Sequence, residues 1–191
     1  MNDKALLLID LQIDFFHGSM KVPKASEIII PIKQLIREYR LSKNLIVRTG
    51  DLHPPNHCSF RENGGLWPKH CCKDNTKSGH GHHYYTQYGL RLHGSKNQFW
   101  KGQSPNIEQY SGFDAIHKDG TKLHEFLTMQ YVKELLIVGL ALDYCVSETA
   151  IEFASHGWKT SAYLPATRAV KPENSFKAIS NMQKAGVIIL N

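Results

Sequence analysis

The sequence predicts an α/β protein. One domain spans residues 1–191, and a mostly parallel, doubly wound sheet of about six strands lies between two layers of helices in a three-layer α/β/α arrangement. Three observations predict it. Apolar runs alternate with segments of helical periodicity along the chain, two of the runs are apolar without interruption, and ionisable residues follow the ends of several runs. Alternating strands and helices call for right-handed crossovers, which put helices on both faces of the sheet. An uninterrupted apolar run suits a strand buried on both faces. In such sheets, sites gather outside the carboxyl ends of the strands.

Taken in order, the first strand is expected at 5–9, directly before Asp10. Over 25–40, Ile28, Ile29, Ile32, Leu35 and Ile36 recur at the spacing of a helix. A second strand at 45–47 leads through Thr49 and Gly50 to Asp51. The stretch at about 52–97 is rich in His, Gly, Pro, Asn and Lys and reads as loop. A short aromatic strand follows at 98–100, then a helix at about 121–130, and then the second uninterrupted run at 135–138, punctuated by Gly139. A helix at about 144–156, a strand at about 159–164, a helix at about 173–184 and a strand at 187–190 complete the alternation.

Composition narrows the function. The formal charge of +6 comes from scattered basic residues with no nucleic-acid reading motif, so nucleic acid is not an expected partner. Hydrophobic residues at 41% and charged residues at 21% match ordinary globular chains, and no stretch reaches the roughly 18 apolar residues of a membrane span. The opening MNDKALLLIDLQIDFF carries acidic groups in and after its apolar run and lacks a small-residue cleavage site. A secretory signal is therefore not expected, and the expected location is cytoplasmic. Cys58, Cys71, Cys72 and Cys145 lack paired CxxC spacing and read as reduced thiols. A homo-oligomer is compatible with this composition.

Three ionisable groups fall just beyond predicted strand ends: Asp10, Asp51 and Cys145. Cys145 follows a strand and turn and opens a helix, where free N–H groups and the positive end of the dipole favour thiolate and can receive an oxyanion. The competing reading is a small buried residue at a helix start. Asp10, at the mouth of a buried strand, suits a proton carrier, although a cap role fits Asp10 and Asp14 equally. Lys101, beside Trp100 at a strand end, is either a surface lysine or a cation placed near thiolate and carboxylate. Asp51 and His53 stand at i and i+2, on one side of an extended chain, with His70 as a third ligand and His57 or Glu62 in reserve. This carboxylate and imidazole set suits one divalent ion, Zn2+ foremost and Fe2+ or Mn2+ otherwise, with open positions left for water or substrate. Gly79–His83 reads as a solvated loop, and Cys71 with Cys72 as a rival structural zinc site lacks a second cysteine pair.

Five motifs then occur in order: IDLQIDFF, DLHPPNHCSF, WPKHC, WKGQSPNIEQYSGF and GLALDYCV. Together they resemble the nicotinamidase/pyrazinamidase branch of the isochorismatase-like cysteine hydrolases. The resemblance implies a triad of Asp10, Lys101 and Cys145 and a metal set of Asp51, His53 and His70. It further implies a cis peptide between Leu140 and Ala141, an oxyanion hole from the N–H groups of Ala141 and Cys145, and a ring pocket lined by Phe15, Trp67 and Tyr110. The implied reaction is hydrolysis of a linear amide C–N bond, nicotinamide to nicotinic acid and ammonia through a cysteine thioester, with pyrazinamide also accepted and a role in NAD salvage. Leu142 departs from the small polar residue common at that position, and the segment 72–94 departs from the family pattern, which bears on substrate choice. Related amidohydrolysis of another small amide, or a non-catalytic metal-binding module, are the alternatives.

Overall fold

The structure is a computed structural model describing residues 3–72 and 97–191. The Gly79–His83 run and most of the 72–94 segment lie outside the described residues. Six strands, β1 (Lys4–Ile9), β2 (Leu45–Asp51), β3 (Gln98–Lys101), β4 (Glu134–Leu140), β5 (Lys159–Arg168) and β6 (Ile188–Leu190), form one sheet in the order β3-β2-β1-β4-β5-β6. Every pairing is parallel. The chain builds outward from β1 to β3, then returns to the other side of β1 with β4. That reversal creates a switch point between β1 and β4, where the connections at the carboxyl ends part and leave a crevice.

Period-two alternation divides the buried strands between two cores. From β1, Ala5, Leu7 and Ile9 enter a core with Phe99, Leu127, Val146 and Phe153. Leu6 and Leu8 enter the opposite one with Phe16, Ile28 and Ile32. Helix α2 (Ile29–Leu41) covers the second face through Ile29, Ile32 and Ile36, and is entered through a 3-10 turn at Ala25–Ile28. On the first face lie α3 (Leu123–Met129), α4 (Ser147–Ser155) and α5 (Ser175–Lys184), while α1 (Ile13–Phe16) is a single turn after β1. Among the described residues, no helix is long and apolar enough to cross a membrane.

Two strand ends differ from the sequence reading. Strand β5 runs on past 164, because the chain absorbs Pro165 through a register shift between the Ile137–Ala162 and Gly139–Thr167 pairs. Proline cannot donate to the ladder, and an irregularity lets pairing resume beyond it. Gly139 does not end its strand but lies inside β4, with φ +121°. A Cβ there would come within 2.1 Å of the Ile9 carbonyl oxygen, so β1 and β4 approach closely only because the position is glycine. Gly139→Ala is expected to cost about 3 kcal/mol or more, read as a lowered midpoint in urea denaturation.

Candidate active site

Strand order brings the predicted residues together. Lys101 ends β3 in direct register with Asp51, which ends β2 rather than following it. Asp10 follows β1 at once, with φ 47°, and Cys145 lies in the turn after β4. Four adjacent strands thus deliver a cation, two carboxylates and a thiol to one edge of the sheet.

Lys101 is the hub. It is 1% exposed, and its Nζ lies 3.0 Å from Asp10 Oδ2, donates to Cys145 Sγ at 3.3 Å, and is in close contact with Asp51 Oδ1. Burial alone would drive the lysine pKa down. Asp10, Asp51 and Cys145 more than offset it, so the ammonium is held well above its ordinary pKa and stays charged. Burial pushes Asp51 up, but Lys101 and His53 outweigh that and hold it well below the carboxylate range. For Asp10 the balance reverses. Desolvation dominates the attraction of Lys101, and its pKa is raised. Asp10 Oδ1 accepts the Thr49 hydroxyl at 2.8 Å, whereas Oδ2, apart from its ion contact with Lys101, accepts no well-directed hydrogen bond among the described residues. Asp10 therefore presents an oxygen and an affinity suited to receiving a proton.

The expectation of a low thiol pKa at Cys145 is overturned. Cys145 does not open an α-helix but sits within a π-helical turn, Leu142–Val146, that precedes α4. Burial pushes its thiol well up, Lys101 only partly counters this, and the two aspartates add to the rise. Desolvation therefore works against the thiolate at this position, which calls for a base to take the proton as sulfur reacts. The Leu140–Ala141 peptide is cis, and Ala141 lines the same cleft as Cys145.

Beyond Asp51 the chain stays extended. Leu52 N–H donates to the Lys101 carbonyl, and His53 N–H to the Cys71 carbonyl, which draws His70 beside His53 with ring centroids 4.9 Å apart. One ligand atom from each of Asp51, His53 and His70 falls within 4.8 Å of the others. His53 Nδ1 donates to the Gly102 carbonyl at 2.9 Å and His70 Nδ1 to the Pro68 carbonyl at 2.8 Å, which fixes both tautomers with Nε2 as the electron-pair donor. Burial, then His53, pull the His70 pKa down to about 4, so its imidazole is neutral at pH 7, as a ligand requires. Gly102, at φ +67°, leaves room for His53, since a Cβ would lie 2.4 Å from its ring. The donor set fits a divalent ion.

The reserve ligands are engaged elsewhere. His57 Nδ1 accepts from Ser59 N–H at 3.2 Å, while Nε2 donates to the Ile107 carbonyl at 3.2 Å. Glu62 is paired with Lys69 at 3.3 Å on the surface. Cys71 and Cys72 join no group of potential ligands among the described residues. The helix after β1 carries no side-chain cap; Asp14 instead accepts Cys71 N–H at 2.7 Å, a tie between distant segments.

Above these groups opens a cleft of about 400 Å³, lined by Phe15, Trp67 and Tyr110 together with Asp51, His53, His70, Lys101 and Cys145. Trp67 Nε1 donates to the Tyr110 hydroxyl at 3.1 Å, joining two walls of the pocket.

Known proteins resemble this chain in sequence and fold. The nicotinamidase of Saccharomyces cerevisiae is 33% identical, the alignment covering 89% of this chain and 90% of that one. The chain belongs to the nicotinamidase/pyrazinamidase branch of the isochorismatase-like hydrolases. The isochorismatase domain model matches residues 103–191. The crystal structure of the Pyrococcus horikoshii pyrazinamidase in complex with zinc superposes with a TM-score of 0.82 at 33% identity, over 100% of this chain and 99% of that one. PnC1 from L. infantum in complex with nicotinate gives 0.78 at 27% identity, over 98% and 92%.

Beside the residues that the family resemblance brings forward, the structure adds several that the sequence did not single out. Gln12 brackets the Asp51 backbone, donating to its carbonyl at 2.9 Å and accepting its N–H at 2.7 Å. Nothing in its local spacing signals that role. Thr49, which supports Asp10, stands two residues before Asp51 and hence on the same side of β2, a signal that period-two reading offers. Tyr144, Met20, Glu108, Gln109 and Val170 complete the cleft lining.

Proposed function

We propose that this chain hydrolyses nicotinamide to nicotinic acid and ammonia, with pyrazinamide as a second substrate, and that Cys145, Asp10 and Lys101 carry the reaction. The observation that supports it best is a single buried ammonium touching a proton-accepting carboxylate and a thiol at the floor of an aromatic cleft, beside a three-residue ligand set. Asp51, His53 and His70 would hold a divalent ion, zinc by analogy with the related P. horikoshii protein, which would supply Lewis acidity toward a pyridine-type substrate.

Phe15, Trp67 and Tyr110 clasp the ring and aim the carboxamide at Cys145. Asp10 takes the thiol proton as sulfur attacks the carbonyl carbon, and the N–H groups of Ala141 and Cys145 receive the oxyanion. As the C–N bond breaks, Asp10 passes that proton to the leaving nitrogen, which departs as ammonia and leaves a thioester. Water, deprotonated by Asp10, then adds to the thioester. The C–S bond breaks, the acid is released and the thiol regains its proton. Lys101 offsets the negative charge that moves between Asp10 and sulfur throughout.

Ammonia release on nicotinamide, pyrazinamide and other small amides, run with metal analysis, tests the reading. Activity on both pyridine-type amides, lost on chelation and restored by added Zn2+, Fe2+ or Mn2+, is expected. Metal-loaded protein that spares both while hydrolysing a different amide would refute it. Asp51→Ala is expected to weaken metal binding by at least about 100-fold, because changes in the outer shell alone cost 10–100-fold.

A further inference from the structure

Asp143 lies outside the cluster of Lys101, yet it precedes the nucleophile by two residues in the same turn. Its carboxylate is a fork. Oδ1 accepts Val170 N–H at 2.8 Å and Oδ2 accepts Lys171 N–H at 3.0 Å. Two successive backbone donors on two oxygens fix a segment in orientation as well as position. That segment links the end of β5 to the short turn Pro172–Asn174, so no strand ladder holds it. Val170 lines the substrate cleft and packs on the core that contains Ala141.

The two sides of this clamp are not equally dependent on it. The nucleophile's turn is also tied by Val146 N–H to the Ala141 carbonyl at 3.0 Å and by the Thr149 hydroxyl to the Cys145 carbonyl at 2.6 Å. On the Val170 side the described bonds besides the clamp are local, such as Asn174 N–H to the Lys171 carbonyl at 2.9 Å, and none of them ties Val170 to the turn of Cys145. We infer that Asp143 is a positioning residue: it holds the Val170 wall of the cleft against the turn that carries Cys145, and so sets how closely the pocket fits its ring substrate.

This rests on the nicotinamide reading only for the choice of assay. Asp143→Asn keeps the shape of the fork but turns an N–H2 group toward one of the two N–H donors. At a temperature where circular dichroism shows it folded, KM for nicotinamide is expected to rise about tenfold with kcat within about twofold, the signature of lost binding rather than lost chemistry. Val170→Ala, which trims the wall and leaves the clamp, should raise KM in the same way, and the double variant should add little. An unchanged KM in either single variant, or a fall in kcat at constant KM, overturns the inference. Amide hydrogen exchange provides a readout without substrate, and Val170 and Lys171 should exchange faster in Asp143→Asn. Should the wild type spare nicotinamide, the functional reading fails alone, and unchanged protection of those two amides would then sink this one.

Discussion

Cys145→Ala is expected to abolish ammonia release, lowering kcat by at least about 10⁴-fold, while metal content and fold are retained. The size of the effect follows from what remains. Asp10, Lys101 and the ligand set are untouched, but no atom is left to form the acyl bond. The sulfur is buried and small, so its loss removes little packing, and Lys101 keeps both carboxylates as partners. Metal analysis and steady-state assays on the same preparation check it. Activity above about 1% of wild type would mean that water attacks directly, and would remove the thioester from the mechanism.

The second large effect belongs to Lys101→Met. Two buried carboxylates would lose the cation they share, and leaving a buried charge unpaired costs about 3–5 kcal/mol. Against a typical total of about 5–15 kcal/mol, that is a large fraction of the stability. The pH dependence has a definite sign. Asp51, held low in the wild type, contributes stability that is full above the ordinary aspartate pKa and is lost as pH falls below it toward the depressed folded value, and the variant forfeits this contribution. Asp10, already raised, rises further without Lys101, so the folded form gains protons and stability as pH falls. Both effects make the deficit largest near neutrality and smaller in acid, which urea denaturation at several pH values will read. A divalent ion should recover part of the loss through Asp51, whereas activity should stay down at least about 100-fold.

Much of this site was legible because buried parallel strands leave their charges at their ends. Apolar runs before Asp10 and Asp51, and the run before Cys145, pointed to one sheet edge before any pairing was known. What could not be read depends on register and burial. Contact between Lys101 and Asp51 arises from which residues of β2 and β3 stand opposite each other, a relation between distant segments. The thiol pKa was misjudged because a local dipole argument ignores desolvation, which only the packed turn reveals. Gln12, reaching back to the Asp51 backbone, answers to tertiary placement alone. Gly139, read from the sequence as punctuation, lies inside its strand, where the close approach of β1 demands it.

Strand β3 is four residues long and ends the sheet on its side, with its outer edge tied at Trp100, which exchanges backbone hydrogen bonds with Ile116 at 2.9 and 2.8 Å. Short edge strands open at lower cost than the centre of a sheet. Because the ammonium that balances the site is the last residue of that strand, an opening of this edge that carried Lys101 away would remove the counter-charge from Asp10, Asp51 and Cys145 together. On heating, activity is therefore expected to fall before helix content, read as an activity midpoint below the circular dichroism midpoint; coincident midpoints would show that this edge opens only with the whole fold.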